Sequence, residues 1–557
     1  MNYRMQIVVP MSGFGERFRR AGYSKPKPLI EIDGKPIIAH VIDLFPGETD
    51  FVFICNRDHL DDPSFAMAET LRKYCPTGRI LAIEPHKLGP VHAVLQAADM
   101  IDRAAPVVVN YCDFTCYWAW DHFKEFVRAS RCAGAIPAYR GFHPHSLGTT
   151  NYAYIREQGG WISDIQEKQP FTANRMQEYA STGTYYFRSG ELMLDALQRT
   201  CDRDLNVGGE YYISLAYKPL FEDKAAVAVY PIQHFMQWGT PEDVAEYRQW
   251  SGAFRLLAEA NRHQAALPGD LVVPMAGLGQ RFADDGWADP KPLIGVSGQP
   301  MVVQAARDLP VVGESVFVLR TDMPEVQRIE ATLAQAFPRC RFVELASVTE
   351  GQAVTALAGV EALAVGDDRP VTFGTCDNGL IYDVGRLADL LDDGDVDLIV
   401  WVRRGHAHAI RHPQMYGWVA ARGDVVTGVS VKKPLSAPAT DPIVVGTFTF
   451  RRSADFRRCF ERMTARGGRV NGEYYLDTCI EDAMALGLRC RLFEIDAWLN
   501  WGTPDDLRTF EYWQSCFHKW RAHPYRLERD RHVAPPALPQ LEARYAAIVP
   551  ELPDARP

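Results

Sequence analysis

Arg17 and Lys27 stand ten positions apart. The first closes the glycine-rich loop "VPMSGFGERF" and the second is held between prolines in "SKPKPLIEIDGKP". Arg281 and Lys291 repeat the spacing in "VPMAGLGQRF" and "ADPKPLIGVSGQP". A guanidinium offers a bidentate fork suited to a terminal phosphate. A lysine between prolines has little backbone freedom and presents its ammonium from a fixed platform. The glycines, Gly13 and Gly15 in one loop and Gly277 and Gly279 in the other, allow positive φ. They also let backbone N–H groups approach an oxyanion with no Cβ in the way. Such a set is suited to holding a phosphorylated anion. A tight strand-to-helix turn with a surface arginine fits the same loop, and Lys25 reads as a solvated residue. The pattern is neither a Walker loop nor a full G-x-G-x-x-G, which weighs against kinase-like and dinucleotide-binding readings.

The elements that must position these residues also come in two copies. Pro10 and Pro274, Gly34 and Gly298, Asp113 and Asp377, Tyr152 and Tyr416, and Lys168 and Lys432 are all 264 positions apart. The offset slips by one at Glu210 and Glu473 and at Trp238 and Trp501. A register this long predicts two homologous domains of roughly 250 residues, far longer than a solenoid unit. In each, short Val/Ile-rich runs ("MQIVVP", "FVFIC", "PVVVNYCD"; "LVVPM", "SVFVLR", "DLIVWVRR") alternate with segments whose apolar residues recur every three or four positions. That alternation predicts a parallel sheet covered on both faces by helices. Ligands of such sheets settle at the carboxyl ends of the strands, where the glycine loops lie. The expected boundaries are 1–252 and 269–518 for the domains, 253–268 for a linker segment read as a helix plus a short connection, and 519–557 for a Pro-rich arm or tail.

Composition narrows the function classes. The chain has 557 residues, 47% apolar and 23% charged, with a formal charge of −10. The acidic balance weighs against a general nucleic-acid-binding surface. No apolar run reaches the roughly 18 residues of a membrane helix, and the N-terminal apolar stretch is too short for a signal peptide. Twelve scattered cysteines without C-x-x-C pairs predict reduced thiols and a cytoplasmic protein. His86, His92 and His143 read as ordinary loop or helix residues.

G-x-G-x-R-F, then P-K-P-L, then G-x-P resembles the opening signature of the sugar nucleotidyltransferases, the nucleoside-diphosphate-sugar pyrophosphorylases. The branch used in capsule and surface-polysaccharide synthesis writes the loop V-P-M-A-G. The resemblance covers nearly all of both copies. It implies two tandem Rossmann-like nucleotidyltransferase domains, each an α/β fold with a mostly parallel mixed sheet flanked by helices. It implies a reaction in which a sugar 1-phosphate attacks the α-phosphorus of a nucleoside triphosphate and expels pyrophosphate. Pro10, Met11, Gly13 and Gly15, with Pro274, Met275, Gly277 and Gly279, would hold the nucleotide; Gly89, Gly351 and Gln352 would contact its base. Arg17, Lys27, Lys168, Arg281, Lys291 and Lys432 would act on the phosphates.

By the same resemblance, Asp113 and Asp377 would bind Mg²⁺, a role their strand-tip position shares with that of a helix N-cap. Gln237 and Asn500 stand where the family has a second metal-binding aspartate, which lowers the expected metal affinity there. Glu167, Gly183, Glu210, Gly446 and Glu473 would meet the acceptor, although Glu210 and Glu473 equally suit structural roles. Val431 replaces the glutamate of the second copy, so that site is expected to take a different acceptor or bind it less well. Cytidylyl transfer to a non-sugar acceptor, and one active domain beside a silent binding domain, are the alternatives. A glycosyltransferase would need a D-x-D at a strand end, which neither "DFTCYW" nor "DNGLIY" provides. The base, the acceptor and the oligomeric state stay open.

Overall fold

The computed structural model describes residues 4–259, 266–363 and 368–555. The chain divides into two units, Met1–Arg248 with Ala546–Pro557, and Gln249–Tyr545. Each of the Val/Ile-rich runs quoted above forms a strand. In the first unit a ten-stranded sheet runs Arg79–Ile83, Phe51–Asn56, Gln6–Met11, Val107–Asn110, Thr184–Phe187, Gly134–Tyr139, Val227–Pro231, Trp161–Glu167, Ala153–Gln158, Tyr179–Ser181. Strand Gln6–Met11 is buried along its whole length, as the apolar run from Ile7 to Met11 requires, and Gln6 at its start is satisfied by Asp50 and Met100 O. Val8, Val52, Val109 and Ile136 join Met193 and Leu197 of helix Gly190–Asp202 in one core.

The sheet is less parallel than expected. Among the described residues four strand pairs are parallel and six are antiparallel. The side carrying the glycine loop is parallel because helical crossovers link its strands. The far side contains Ala153–Gln158 and Trp161–Glu167, joined through Gly159 and Gly160, and a connection that short permits only an antiparallel pair. Lys168 directly follows this hairpin.

The second unit builds a nine-stranded sheet: Cys340–Leu345, Ser315–Arg320, Asp270–Pro274, Val371–Phe373, Ile443–Phe450, Leu398–Arg403, Cys490–Glu494, Val425–Val431, Gly417–Arg422. The order matches the first sheet, with the long strand Ile443–Phe450 standing for both Thr184–Phe187 and Tyr179–Ser181. Its apolar residues fall into two clusters, one with Leu271, Phe317 and Trp401, the other with Val272, Val318 and Phe448. Neighbouring residues of one strand thus serve opposite faces of the sheet.

The segment 253–268, expected to be a helix plus a short linker, begins as the end of helix Pro241–Leu257, and 260–265 lies outside the described residues. The expected arm or tail is folded over residues 519–545 and again holds contacts near its described end. Tyr525 and Leu527 are fully buried and Leu541 and Tyr545 nearly so in the second unit. His532 sits between Asp308 at 2.8 Å and Asp530 at 3.4 Å. In the first unit, Asp554 N–H donates to Gly159 O at 2.9 Å, and Trp161 Nε1 donates to Asp554 O at 2.8 Å. The buried residues are spaced irregularly between prolines, so no periodicity in the sequence announces their burial.

Candidate active site

At the carboxyl end of strand Gln6–Met11 the chain turns into the short helix Glu16–Arg20. Gly15 makes the turn at φ 63°, and Gly279 makes its counterpart at φ 65°. Gly13 and Gly277 do not adopt positive φ; they are open on the side where a Cβ would stand. Of the paired glycines in each loop, one supplies the bend and the other clearance. Arg17 is exposed, and no hydrogen bond or ion pair engages its guanidinium among the described residues.

Lys27 Nζ lies 2.9 Å from Asp113 Oδ2, each side chain about a quarter exposed. Burial works to lower the Lys27 pKa, but the charge of Asp113 and the hydrogen bond to it outweigh it, and the net shift is upward. The lysine therefore stays an ammonium at neutral pH. Burial also pushes the Cys112 thiol up to about 11, which leaves it protonated and inert.

Across the cavity Glu167 accepts from Ser214 Oγ at 2.5 Å. Burial raises its pKa to about 7; the Ser214 hydrogen bond and Lys168 oppose that shift, and Glu210 adds to it. Lys168 has φ 59°, a left-handed backbone that a side chain other than glycine rarely adopts. Its ammonium donates to Tyr212 Oη, which donates in turn to Glu210. Gly89 shows why this wall needs glycine: a Cβ there would come within 2.7 Å of the Tyr211 backbone N and O. The two segments instead bond, Tyr211 N–H to Leu88 O at 2.9 Å and Val91 N–H to Tyr211 O at 3.1 Å.

One cavity of about 650 Å³ collects these groups. Pro10, Met11, Gly13, Gly15, Arg17, Lys27, Gly89, Asp113, Glu167, Lys168, Gly183, Glu210 and Gln237 all line it. These are all the candidate residues named for the first copy. Sequence reasoning missed Lys87, paired with Glu16 at 3.0 Å beside the loop, and the Ser214 and Tyr212 partners just described. It also missed Asp243, whose Oδ2 accepts from Thr240 N–H at 2.9 Å and from Gln237 Nε2 at 2.5 Å.

The donor set fits an Mg²⁺ ion. That cation usually takes one or two protein carboxylates, the rest of its sphere being phosphate oxygens and waters. Asp113 supplies a carboxylate. Because Asp243 takes the Gln237 NH₂ group, Gln237 Oε1 is buried with no hydrogen-bond partner among the described residues. Strand His234–Gln237 runs beside Phe114–Tyr117, which brings the amide next to Asp113. No group of three or more His, Cys, Asp or Glu with metal-binding geometry occurs among the described residues. A protein-only cage for a tightly held ion is thus absent among them.

The second unit repeats the plan with altered details. Lys291 Nζ lies 2.6 Å from Asp377 Oδ2, and Lys432 repeats the φ of 59°. A Cβ on Gly351 would stand 2.5 Å from the Tyr474 backbone. Gly446 keeps a positive φ of 83°, against 96° for Gly183. Gln352 begins helix Gln352–Glu361, and Arg281 lies exposed on helix Gln280–Asp284. The glycine loop is braced by buried Arg320, which donates to the carbonyls of Ala276 and Gly277. Asn500 differs from Gln237, because its Oδ1 accepts from Gly502 N–H at 3.0 Å. A cation at Asp377 would therefore compete with a hydrogen bond that has no equivalent at Gln237 Oε1.

Residues 8–230 match the family model described as nucleotidyl transferase. The first unit thus carries a nucleotidyl transferase domain. Among individual proteins, the bifunctional protein GlmU of Exiguobacterium sibiricum is 25% identical over 41% of this chain and 48% of its own length. The mannose-1-phosphate guanyltransferase of Candida albicans is 27% identical over 31% of this chain and 48% of its own. The chain spans about half the length of these curated relatives. The solved structure of a nucleoside-diphosphate-sugar pyrophosphorylase from Vibrio cholerae RC9 aligns with 44% of this chain and 99% of its own at 20% identity, with a TM-score of 0.37. No helix among the described residues is long and apolar enough to cross a membrane.

Proposed function

We propose that this chain is a tandem nucleotidyltransferase. It moves a nucleoside monophosphate from a nucleoside triphosphate to a sugar 1-phosphate, or another small phosphorylated acceptor, with release of pyrophosphate. The observation that carries this reading is the convergence of Arg17, Lys27, Asp113, Glu167 and Lys168 on one cavity in the matched domain. The relative named as a mannose-1-phosphate guanyltransferase supports a phosphorylated sugar as acceptor. The V-P-M-A-G form of the loop supports a place in making surface-polysaccharide precursors.

In this reading the glycine loop and Arg17 hold the β- and γ-phosphates. Lys168 orients the acceptor phosphate, and the Glu167 carboxylate accepts from the acceptor's hydroxyls. An oxygen of the acceptor phosphate forms a bond to the α-phosphorus while the bond to the bridging oxygen of the β-phosphate breaks. Lys27 neutralises the charge that gathers on the departing pyrophosphate. The nucleophile is already an anion, so no general base is required. Catalysis is mostly positioning and charge stabilisation. Asp113 and Gln237 Oε1 would hold Mg²⁺, which when bound supplies further charge stabilisation for the triphosphate.

A pyrophosphate-release screen of four nucleoside triphosphates against phosphorylated sugars and alcohols tests the reading on the full chain. At least one pair should turn over. Loss of one well-placed charge stabiliser costs about 10²–10³ in rate. Turnover at the first site should therefore fall by that order in Lys27→Ala, assayed with Lys291→Ala silencing the second, with the circular-dichroism spectrum unchanged. Undiminished turnover in the double variant would remove the assigned role of these lysines.

A further inference from the structure

In the first unit, Ala153 pairs across the hairpin with Glu167, and Ser214 donates to that glutamate. The same register positions in the second unit hold Gly417, which pairs with Val431, and Asp477. All three positions have changed together. The carboxylate has left the strand and reappears on the facing segment, where the first unit has a serine. A Cβ added to Gly417 would stand 2.1 Å from Asp477 Oδ2. The alanine of the first unit would push this carboxylate out of its present position, and the glycine is what admits it there. Asp477 and Lys432, the counterpart of Lys168, attract electrostatically. Among the described residues the Asp477 side chain accepts only from its own backbone N–H. A carboxylate has about four lone-pair sites, so acceptor capacity remains near a cation, as a hydroxylated phosphate ester requires.

We propose that Asp477 is the acceptor-binding carboxylate of the second unit, taking over from the opposite wall the role of Glu167, so that this unit binds a second, differently shaped phosphorylated polyol or sugar. The proposal rests on the nucleotidyltransferase reading of the second unit and takes the first of the two outcomes expected from Val431, a different acceptor rather than weaker binding of the same one. Moving the carboxylate changes which hydroxyls of the acceptor it can meet. The two sites therefore differ in acceptor more than in phosphate handling, since the arginine, lysine and strand-tip aspartate are kept in both.

The test uses the full chain carrying Lys27→Ala, which leaves the second site to be read alone. The probes are glucose 1-phosphate, mannose 1-phosphate, N-acetylglucosamine 1-phosphate, glycerol 3-phosphate and ribitol 5-phosphate, each with the four nucleoside triphosphates. Hydrogen bonds to charged groups carry enough free energy that Asp477→Asn should raise the acceptor KM about 10- to 100-fold. The nucleotide KM should stay within about twofold. The triple variant Gly417→Ala/Val431→Glu/Asp477→Ser should regain acceptor binding and prefer the acceptor of the first site. Equal changes in both KM values, or none in either, overturn the proposal.

If the Lys27→Ala chain turns over no pair, the catalytic reading of the second unit fails on its own. Acceptor binding to the second site is then read by saturation-transfer NMR with the same five probes, in a Lys27→Ala chain that also carries Glu167→Gln and Lys168→Ala to remove acceptor binding at the first site. A signal that persists in this background and disappears when Asp477→Asn is added supports the proposal. A signal unchanged by the substitution, or absent from both chains, overturns it.

Discussion

A single carboxyl group sets the clearest pH signature of this protein. Burial raises Glu167 to about 7, with Ser214, Lys168, Glu210 and the hydroxyls of Tyr111, Tyr185 and Tyr212 around it. Below that pH it is neutral; above it, it is the carboxylate that the proposed function has accepting from acceptor hydroxyls. kcat/KM for the acceptor at the first site should therefore rise with pH through about 7. Glu167→Gln should remove that inflection and leave the one near 6 that belongs to a phosphate monoester. The stability effect has the opposite sign. With its folded pKa above the ordinary 4.5, Glu167 destabilises the fold progressively as pH rises from about 4.5 to 7. The glutamine variant should melt at a higher temperature than the parent at pH 8, by calorimetry.

The contact between the Gly89 turn and the Tyr211 segment is the element on which the cavity wall depends. A Cβ at Gly89 meets backbone rather than a flexible side chain, and φ there is 89°. Gly89→Ala should cost about 1–3 kcal/mol and push the Glu210–Tyr212 segment away from Lys168. Urea titration should register the loss, and the acceptor KM should rise alongside it. How much of this was legible in the sequence follows from what each feature depends on. The strands "QIVVPM" and "VVVN" announce themselves because they are buried on both faces and, apart from Gln6 and Asn110 at their ends, apolar. The Ala153–Glu167 hairpin was harder to read, because its pairing shifts register between Ile162 and Asp164 and breaks the alternation. Arg17, Lys27 and Asp113 stood out through their repeated spacing. Ser214 and Asp477 did not, because their partners Glu167 and Lys432 lie far away in sequence and only the folded chain brings them together.

At the scale of the whole molecule, the segment after residue 519 anchors itself through a buried charge. Burial alone would depress His532, but the charges of Asp308 and Asp530 and the hydrogen bond to Asp308 raise it to about 10. A folded pKa above the ordinary 6.5 gives stability that is complete below about 6.5 and lost as pH climbs to about 10. Breaking one partner of a buried ion pair typically costs about 3–5 kcal/mol. His532→Gln should lose that order of stability at pH 7, and its deficit against the parent should shrink towards pH 10 in thermal melts followed at both values. Lys168 and Lys432 add a different kind of tension. Each keeps a long basic side chain on a backbone geometry that costs about 1–3 kcal/mol for anything but glycine, against a typical total of about 5–15 kcal/mol for a folded protein. Directed evolution of this protein for heat tolerance alone would drift toward glycine at both places. The winners of such a campaign would be sturdier and idle, so any selection must score turnover alongside survival.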